Sequence, residues 1–299
     1  MSHWLFQLPR RIASKVRQDF PLAPLTTFRI GGNADAYLQV SDGAETAQVV
    51  GAARQAGIPL AVIGGGSNLL VPDEGIRGLV LDLAQLKSIH ADGKSVRVEA
   101  GVKLTKAITW TVNRGLAGLE GLAAIPGTIG GALAMNAGGR YGEIGDFVAS
   151  VETISPKGGM ETLDAEYLRF GYRHTQLDGH IVTAVNLRLG EGDAGLLKAT
   201  MARISREKLA AQPYEKPSAG CIFTNPTGSE LSAGRLVDQS GLKGLRRGDA
   251  QISEKHGNFI VNLGKARATD VEDLILEAKR RVFERFGIEL KTEVRRWAA

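Results

Sequence analysis

The sequence holds a single cysteine, Cys221, in 299 residues. No intramolecular disulfide can form, and no cysteine-rich zinc site can be assembled. This usage fits a reducing compartment, so the expected location is cytoplasmic. Proline is sparse, at 10 residues, and no repeat period is present, which excludes collagen-like and low-complexity classes. Long hydrophobic runs are missing too. The opening stretch, residues 1–11, has no apolar core of secretory-signal length. The longest uncharged stretch, Gly121–Gly139, carries six glycines together with Pro126, Thr128 and Asn136. A membrane helix wants about 20 predominantly apolar residues, so this stretch reads as a loop system and no membrane span is expected. Nor is charge of one sign concentrated. The net charge of +5 arises from 37 basic and 32 acidic residues, and the densest basic clusters are only Arg246-Arg247, Lys279-Arg280-Arg281 and Arg295-Arg296. No aromatic pattern accompanies them, so nucleic acid is not expected as a partner. A small anionic ligand, such as a phosphate-bearing cofactor or substrate, suits the basic balance better.

Glycine is what the chain has in excess, at 38 of 299 residues against roughly 7% on average, which implies many tight turns. The length predicts about two domains, with a boundary near residues 193–215. Helical spacing over Ala44–Ala56 ends at Gly57, which can cap it. Strands are expected at Pro59–Ile63, Leu79–Leu83 and Ser95–Ala100, and a helix at Thr105–Asn113. Strand-like runs return at Phe147–Ile154, Met160–Leu163 and Ile181–Leu189, followed by a helix over Ala194–Ala211. A smaller unit follows: a helix at Leu231–Ser240, a strand at Asn258–Leu263, a helix at Asp270–Phe286 and a final strand at Ile288–Val294. The long helix has Thr269 and Glu272 in capping-box spacing and an apolar face of Val271, Leu274, Ile275, Ala278, Val282 and Phe286. Residues 1–19 read as a helical or irregular lead-in. Strands and helices mix without regular alternation, which predicts an α+β fold.

Three glycine-rich segments carry the chemical signal. Gly64-Gly65-Gly66-Ser67-Asn68-Leu69-Leu70 follows a buried strand. Successive amides there can form a nest for a pyrophosphate, helped by Ser67 and Asn68. It is neither a dinucleotide fingerprint, since Leu69 stands where a glycine is needed, nor a P-loop. A tight structural turn explains the triplet equally well. The second segment runs Ile125-Pro126-Gly127-Thr128-Ile129-Gly130-Gly131-Ala132-Leu133-Ala134-Met135-Asn136-Ala137-Gly138-Gly139. Its second half can begin a helix whose first amides face another phosphate, or it can pack a helix through small residues. The third, Thr27-Phe28-Arg29-Ile30-Gly31-Gly32, sets a cation beside a glycine pair. Two glycine-rich loops bordering apolar elements favour one extended cofactor over two unrelated turns.

These three motifs, in their order along the chain (27–32, 64–70 and then 125–132), resemble those of the UDP-N-acetylenolpyruvoylglucosamine reductase family. The match continues through Phe170-Gly171-Tyr172-Arg173, Pro217-Ser218-Ala219-Gly220-Cys221-Ile222-Phe223-Thr224-Asn225-Pro226, Gly241–Gly244, Gln251–His256, Asn258–Asn262 and Glu293-Val294-Arg295. The resemblance implies a two-lobed FAD-binding domain of the vanillyl-alcohol-oxidase type over residues 20–195 and a smaller α+β substrate-binding domain over 196–299. It implies FAD with its pyrophosphate on Gly64, Gly65, Gly66, Ser67, Asn68 and Leu69. The isoalloxazine would be contacted by Pro126, Gly127, Thr128, Gly130, Gly131, Ala132, Asn136, Ala137 and Gly138, with Arg29 also on the cofactor side. Arg295 would face the flavin or pair across a strand. With neither His nor Cys in the 64–70 loop, the FAD is expected to be dissociable. NADPH is the expected hydride donor, using the same pocket as the substrate in turn, which predicts ping-pong kinetics.

The implied reaction reduces the enolpyruvyl ether of UDP-N-acetylglucosamine to UDP-N-acetylmuramate, a cytoplasmic step of peptidoglycan precursor synthesis. Hydride from the reduced flavin N5 adds at C3, the charge that develops at C2 must be held on the carboxylate, and an acid must protonate C2. The family pattern places Arg173 and Glu293 at the carboxylate. Its proton donor is usually a serine, and here the position holds Cys221. A dead site, a buried structural thiol and a functional replacement are the three readings. Intact flanking motifs oppose the first, and a thiol with an ordinary pKa near 8.5 is a better acid than a serine hydroxyl, which favours the third. A thiol can also be oxidised, as a serine cannot.

Lys208 and Asn225 match family positions that contact the UDP portion, and Arg246 and His256 lie in motifs near it. The remaining histidines, His3, His90, His174 and His180, have no ligand spacing, and no metal is expected. The short stretch between Arg173 and Cys221 points to the shorter, type II form of the family. A monomer or weak homo-oligomer is expected. The alternative is another FAD-dependent oxidase or dehydrogenase of the same superfamily acting on a sugar or hydroxy acid. The C-terminal motifs count against it, and a non-catalytic nucleotide or nucleic-acid binder has only the basic charge in its favour.

Overall fold

The computed structural model describes residues 8–297. The expectations for the first seven residues, including His3, lie outside them. The chain forms two compact units. One holds residues up to Asp19, Asp35–Gly65 and Arg77–Arg206, and the other holds Phe20–Ala34, Gly66–Ile76 and Glu207–Ala299.

The first unit is built on two sheets. In the five-stranded sheet, the order from edge to edge is Met160–Asp164, Val148–Ile154, Ile181–Arg188, Ser95–Glu99 and Ile89–Asp92. Burial follows the sequence pattern. Ser95–Glu99 alternates, with Val96 and Val98 inside, while the central strand Ile181–Arg188 is almost wholly buried, as its continuous apolar run requires. The four-stranded sheet has the order Arg17–Pro21, Asn33–Gln39, Ile76–Asp82, Leu60–Ile63. Its last pair is parallel. Helix Gly43–Gln55 packs on the five-stranded sheet and buries Val49, Val50, Ala52 and Ala53. Asp42 caps it by accepting the Glu45 N–H at 2.7 Å. The Glu45 carboxylate, only 6% exposed, accepts from the Ser41 N–H and from Lys15 Nζ, each at 2.7 Å. Burial opposes its ionisation, but those bonds prevail and hold its pKa below the usual carboxylate value.

The second unit is an antiparallel four-stranded sheet, Ser218–Cys221, Phe259–Asn262, Ala250–Ile252, Arg246–Arg247. Helix Ala268–Phe286 covers it, burying Val271, Leu274, Ile275, Ala278 and Val282. Phe28, Ile30 and Leu70 join the same core, so two early stretches of chain complete this unit.

Several expectations are corrected. The lead-in includes a strand, Arg17–Pro21, beside the short helix Arg10–Ala13. The long helix starts at Ala268, and its cap is not Thr269 with Glu272. The Arg267 N–H donates to the Asp270 carboxylate at 2.9 Å, and the Asp73 carboxylate accepts the Ala268 and Thr269 N–H groups at 2.8 and 3.1 Å. A carboxylate brought from far away in sequence thus satisfies the first amides. The final strand at Ile288–Val294 does not form. The segment changes partner too often for a ladder: Lys291 O accepts from Thr224, the Glu293 N–H donates to Ile222 O, and the Arg295 N–H donates to Asn68 O. Only Arg295–Arg296 pairs as a strand, parallel to Leu69–Leu70.

Candidate active site

In the first unit, the glycine loop begins where the strand Leu60–Ile63 ends. Gly64 and Gly65 are required by neighbouring chain rather than by positive φ. A Cβ on Gly64 would lie 2.5 Å from Thr128 Oγ1, and one on Gly65 would lie 2.7 Å from Gly127 Cα. Loops 64–65 and 127–128 are therefore in direct contact. Among the described residues, the Gly64 and Gly65 amides donate to no protein acceptor.

The second glycine segment forms a helix, Ile129–Ala134, with Thr128 as its N-cap. Its amides do not face a phosphate. Ile129 N–H donates to Val102 O, Gly130 N–H to Ala100 O, and Gly131 N–H to Thr128 Oγ1. The expectation of a second phosphate there is overturned, because the first turn is satisfied within the fold. Ala132 is buried in this helix, and Gly127 accepts the Leu104 N–H after Pro126. Asn136 is 2% exposed with φ +41°. Its side chain donates to Glu143 Oε2 at 2.6 Å and Gly171 O at 3.1 Å, and accepts from the Gly145 N–H at 3.0 Å. That side chain is committed to holding the turn into Ala137 and Gly138. Arg173, also at positive φ (+56°), donates from Nη2 to Gly138 O at 2.9 Å. Its guanidinium lies 5.1 Å from the Tyr172 ring centroid, and its Nη1 is buried without a hydrogen-bond acceptor. The structure thus joins Arg173 to the Asn136–Gly138 segment.

In the second unit, Gly66 is buried at φ +58°, and a Cβ there would lie 2.2 Å from Leu25 O. Among the described residues, the Gly66 and Asn68 amides donate to no protein acceptor. Thr27 ties two motifs together: its N–H donates to Gly66 O at 3.1 Å and its hydroxyl to Ser218 O at 2.7 Å. Arg29 follows at φ +56°, with its N–H on Thr26 Oγ1 and its side chain exposed.

Cys221 is half-buried at the end of Ser218–Cys221, opposite Phe259 and after Gly220 at φ +77°. The next residue, Ile222, offers its carbonyl to the Glu293 N–H at 2.8 Å. Asn68 Nδ2 donates to Glu293 O at 3.1 Å, and Asn68 O accepts the Arg295 N–H at 3.0 Å. Hydrogen bonding therefore gathers Asn68, Leu69, Cys221, Glu293 and Arg295, from three motifs far apart in sequence.

Two residues outside the expected site residues support this cluster. Asn258 clamps the chain after Cys221, accepting the Phe223 N–H at 2.9 Å and donating to Phe223 O at 2.8 Å. Tyr214 has its hydroxyl pKa pushed up to about 12 by burial and by the negative charge of an ionised Cys221. It is thus a neutral neighbour of the thiol. The Asn-Phe-Ile-Val-Asn motif could have flagged Asn258; nothing in the pattern flags Tyr214.

The other proposed substrate residues are more dispersed. Asn225 caps the helix Ala233–Gln239, its Oδ1 accepting the Ala233 N–H at 3.0 Å. His256 Nδ1 accepts the Asn258 N–H at 3.2 Å, and its ring meets Phe259 edge-on. Burial and then Lys243 push its pKa down, so it is neutral near pH 7. Lys208 is half-buried on helix Ala194–Ala211. Arg246 lies on the strand at the opposite edge of the sheet from Cys221, three strand spacings or about 14 Å away. There it is held by Gly248 O and Asp249. The structure does not bring Arg246 to the thiol.

The comparisons with known proteins bear on both units. The sequence model of an FAD binding domain matches residues 34–164, and that of the UDP-N-acetylenolpyruvoylglucosamine reductase C-terminal domain matches residues 212–297. A UDP-N-acetylenolpyruvoylglucosamine reductase of Symbiobacterium thermophilum is 43% identical over 96% of this chain and 94% of its own length. The chain belongs to the UDP-N-acetylenolpyruvoylglucosamine reductase family. The crystal structure of the Thermus caldophilus member of this family superposes with a TM-score of 0.81 at 41% identity, covering 95% of this chain and 98% of that one. Berberine bridge enzyme from Eschscholzia californica shares the fold alone, with a TM-score of 0.50 at 18% identity over 59% of this chain and 39% of its own. The α+β architecture, with an FAD binding domain over residues 34–164, is thus the fold of this reductase family member. Among the described residues, no helix is long and apolar enough to cross a membrane, and no three His, Cys, Asp or Glu side chains gather as a metal site.

Proposed function

We propose that this protein reduces the enolpyruvyl ether of UDP-N-acetylglucosamine to UDP-N-acetylmuramate with NADPH, as a cytoplasmic enzyme working as a monomer or weak homo-oligomer. The residues present fit FAD. Unsatisfied amides at Gly64, Gly65, Gly66 and Asn68 suit a pyrophosphate, and the loop 64–70 offers no His or Cys for a covalent bond, so the cofactor is dissociable. Bound there, FAD would supply the hydride-carrying chemistry that links NADPH to C3 of the enolpyruvyl group.

The chain's own residues handle the carboxylate and the proton. The Arg173 guanidinium holds the substrate carboxylate, where charge from C2 accumulates. Glu293, protonated, donates a hydrogen bond to the same carboxylate. The Cys221 thiol gives its proton to C2, and its sulfur is left as thiolate until it is reprotonated from solvent. Tyr214, neutral over the working pH range, adds no charge of its own beside that thiolate. Arg29, Ser67, Leu69, Thr128, Gly130, Gly131 and Arg295 complete the cofactor contacts in this reading, and Lys208, Asn225, Arg246 and His256 the nucleotide contacts.

The observation that carries the proposal is the bond from the Glu293 N–H to Ile222 O, which sets the carboxyl-bearing residue beside the thiol-bearing one. Mass spectrometry of the product tests the reaction. NADPH oxidation must depend on the enolpyruvyl sugar nucleotide and yield one product two mass units heavier per NADPH. NADPH consumed with no change in sugar-nucleotide mass would refute it.

A further inference from the structure

Arg173 stands at the tip of a two-residue turn. The Gly171 N–H donates to His174 O at 2.9 Å, and the His174 N–H donates to Gly171 O at 3.1 Å. Tyr172 and Arg173 lie between them, and Arg173 takes φ +56°. Glycine or asparagine is the usual residue at such a position. An arginine persists there only when its surroundings over-determine the turn.

One buried side chain supplies much of that surrounding. Asn136 spends both Nδ2 hydrogens, one on Gly171 O at 3.1 Å and one on Glu143 Oε2 at 2.6 Å. Its Oδ1 accepts the Gly145 N–H at 3.0 Å. A side-chain amide has no further donor. Asn136 therefore bridges the hairpin of Gly138–Gly139 and Gly142–Glu143 to the Arg173 turn and has no hydrogen left for a cofactor. The arginine closes the same loop, its Nη2 donating to Gly138 O at 2.9 Å. The packing is tight: a Cβ on Gly145 would lie 2.8 Å from both Asn136 Oδ1 and Phe170 Cγ. Beyond the turn, the buried Thr175 hydroxyl donates to Leu133 O at 2.5 Å, the carbonyl that also accepts the Asn136 N–H at 2.9 Å. Resting on the reductase reading, we infer that Asn136 is a positioning residue for Arg173: through Gly171 O it sets where the guanidinium meets the substrate carboxylate. A misplacement of about 1 Å in such a group can cost about 100-fold in rate, so this bond governs the reaction although Asn136 touches neither substrate nor cofactor.

The test uses the holoenzyme with Asn136→Asp, with Asn136→Asp and Glu143→Gln together, and with Arg173→Ala in the presence and absence of Asn136→Asp. Asn136→Asp keeps the acceptor for the Gly145 N–H but removes the donor to Gly171 O. Flavin content and flavin reduction by NADPH should stay near wild type, while anaerobic reoxidation by the enolpyruvyl substrate should slow by about 10–100-fold. Adding Glu143→Gln lets a new amide donate to the new carboxylate. The thermal midpoint should then recover in part while reoxidation stays slow, because Gly171 O still lacks that donor. Once Arg173→Ala has removed the guanidinium, Asn136→Asp should slow reoxidation by no more than about a further twofold. Thr175→Val, which loses the bond to Leu133 O at constant shape, serves if Asn136→Asp does not fold. It should show the same split between half-reactions at about fivefold, with Thr175→Ser restoring the rate. The inference is overturned if Asn136→Asp reoxidises like wild type, if reoxidation recovers together with the midpoint, or if Asn136→Asp has its full effect without Arg173. Should wild type itself not turn over, the reductase reading fails, and hydrogen exchange of the 168–177 segment decides whether Asn136 holds the turn. Faster exchange in Asn136→Asp would then sustain the inference, and unchanged exchange would overturn it.

Discussion

Replacing Cys221 with alanine should separate the two halves of the proposed reaction. Cys221 is half-buried, and its strand is held by backbone pairing to Phe259. Losing one sulfur atom therefore costs on the order of 1 kcal/mol of stability, and the fold and its FAD content should persist. Hydride transfer from NADPH does not need the thiol, so stopped-flow reduction of the flavin should stay within about twofold of wild type. Protonation of C2 does need it. A positioned general acid contributes about 10²–10⁴-fold, so reoxidation by the enolpyruvyl substrate should slow by at least about 100-fold. Cys221→Ser keeps a donor in place and should lose no more than about tenfold. The pH profile adds a sign. A thiol donor must be protonated, so wild-type reoxidation should fall on the alkaline side as the thiol ionises, while the serine variant should lack this limb. An alanine variant that reoxidises at the wild-type rate would remove Cys221 from the mechanism.

Three further outcomes follow from the structure. Glu293→Gln should bind FAD normally and reduce substrate far more slowly, measured by the same half-reactions; wild-type turnover would exclude it from the site. Asn136→Ala removes three part-buried side-chain bonds and strands the Gly145 N–H, so it should cost about 2–4 kcal/mol in denaturant unfolding, and an unchanged midpoint would contradict the bonding described. Glu45 has a depressed pKa in the fold, so its contribution exists above its unfolded pKa near 4.5 and is lost as pH falls through the lower folded value. Glu45→Gln should therefore cost about 1–2 kcal/mol at pH 7 and progressively less below about pH 4.5. An equal cost at pH 7 and pH 2.5 would sink that reading.

Much of this architecture is legible in periodicity. The helix Ala194–Ala211 and the strand Val148–Ile154 stand where spacing places them, the strand burying Val148, Val151 and Ile154 and the helix Leu197 and Ile204. The misses share a cause: their hydrogen bonds go to distant chain. Asp73 caps a helix 195 residues away, so local capping signals at Thr269 and Glu272 could not reveal it. The segment 288–294 is apolar enough for a strand but divides its bonds among Thr224, Ile222 and Asn68. At the site, the motifs identify Cys221, Glu293 and Asn68 as important, yet only the backbone bonds show how they meet. The helix Ile129–Ala134 is the instructive failure. Its glycines read equally as anion cradle or close packing, and the amides of its first turn prove to be spent on Val102, Ala100 and Thr128.

The most direct test of the reductase account is anaerobic. The purified holoenzyme is reduced with one equivalent of NADPH, mixed with the enolpyruvyl sugar nucleotide, and followed at the flavin absorption band. The account predicts rapid recovery of the oxidised spectrum with one UDP-N-acetylmuramate formed per flavin. A flavin that stays reduced until oxygen is admitted would contradict it.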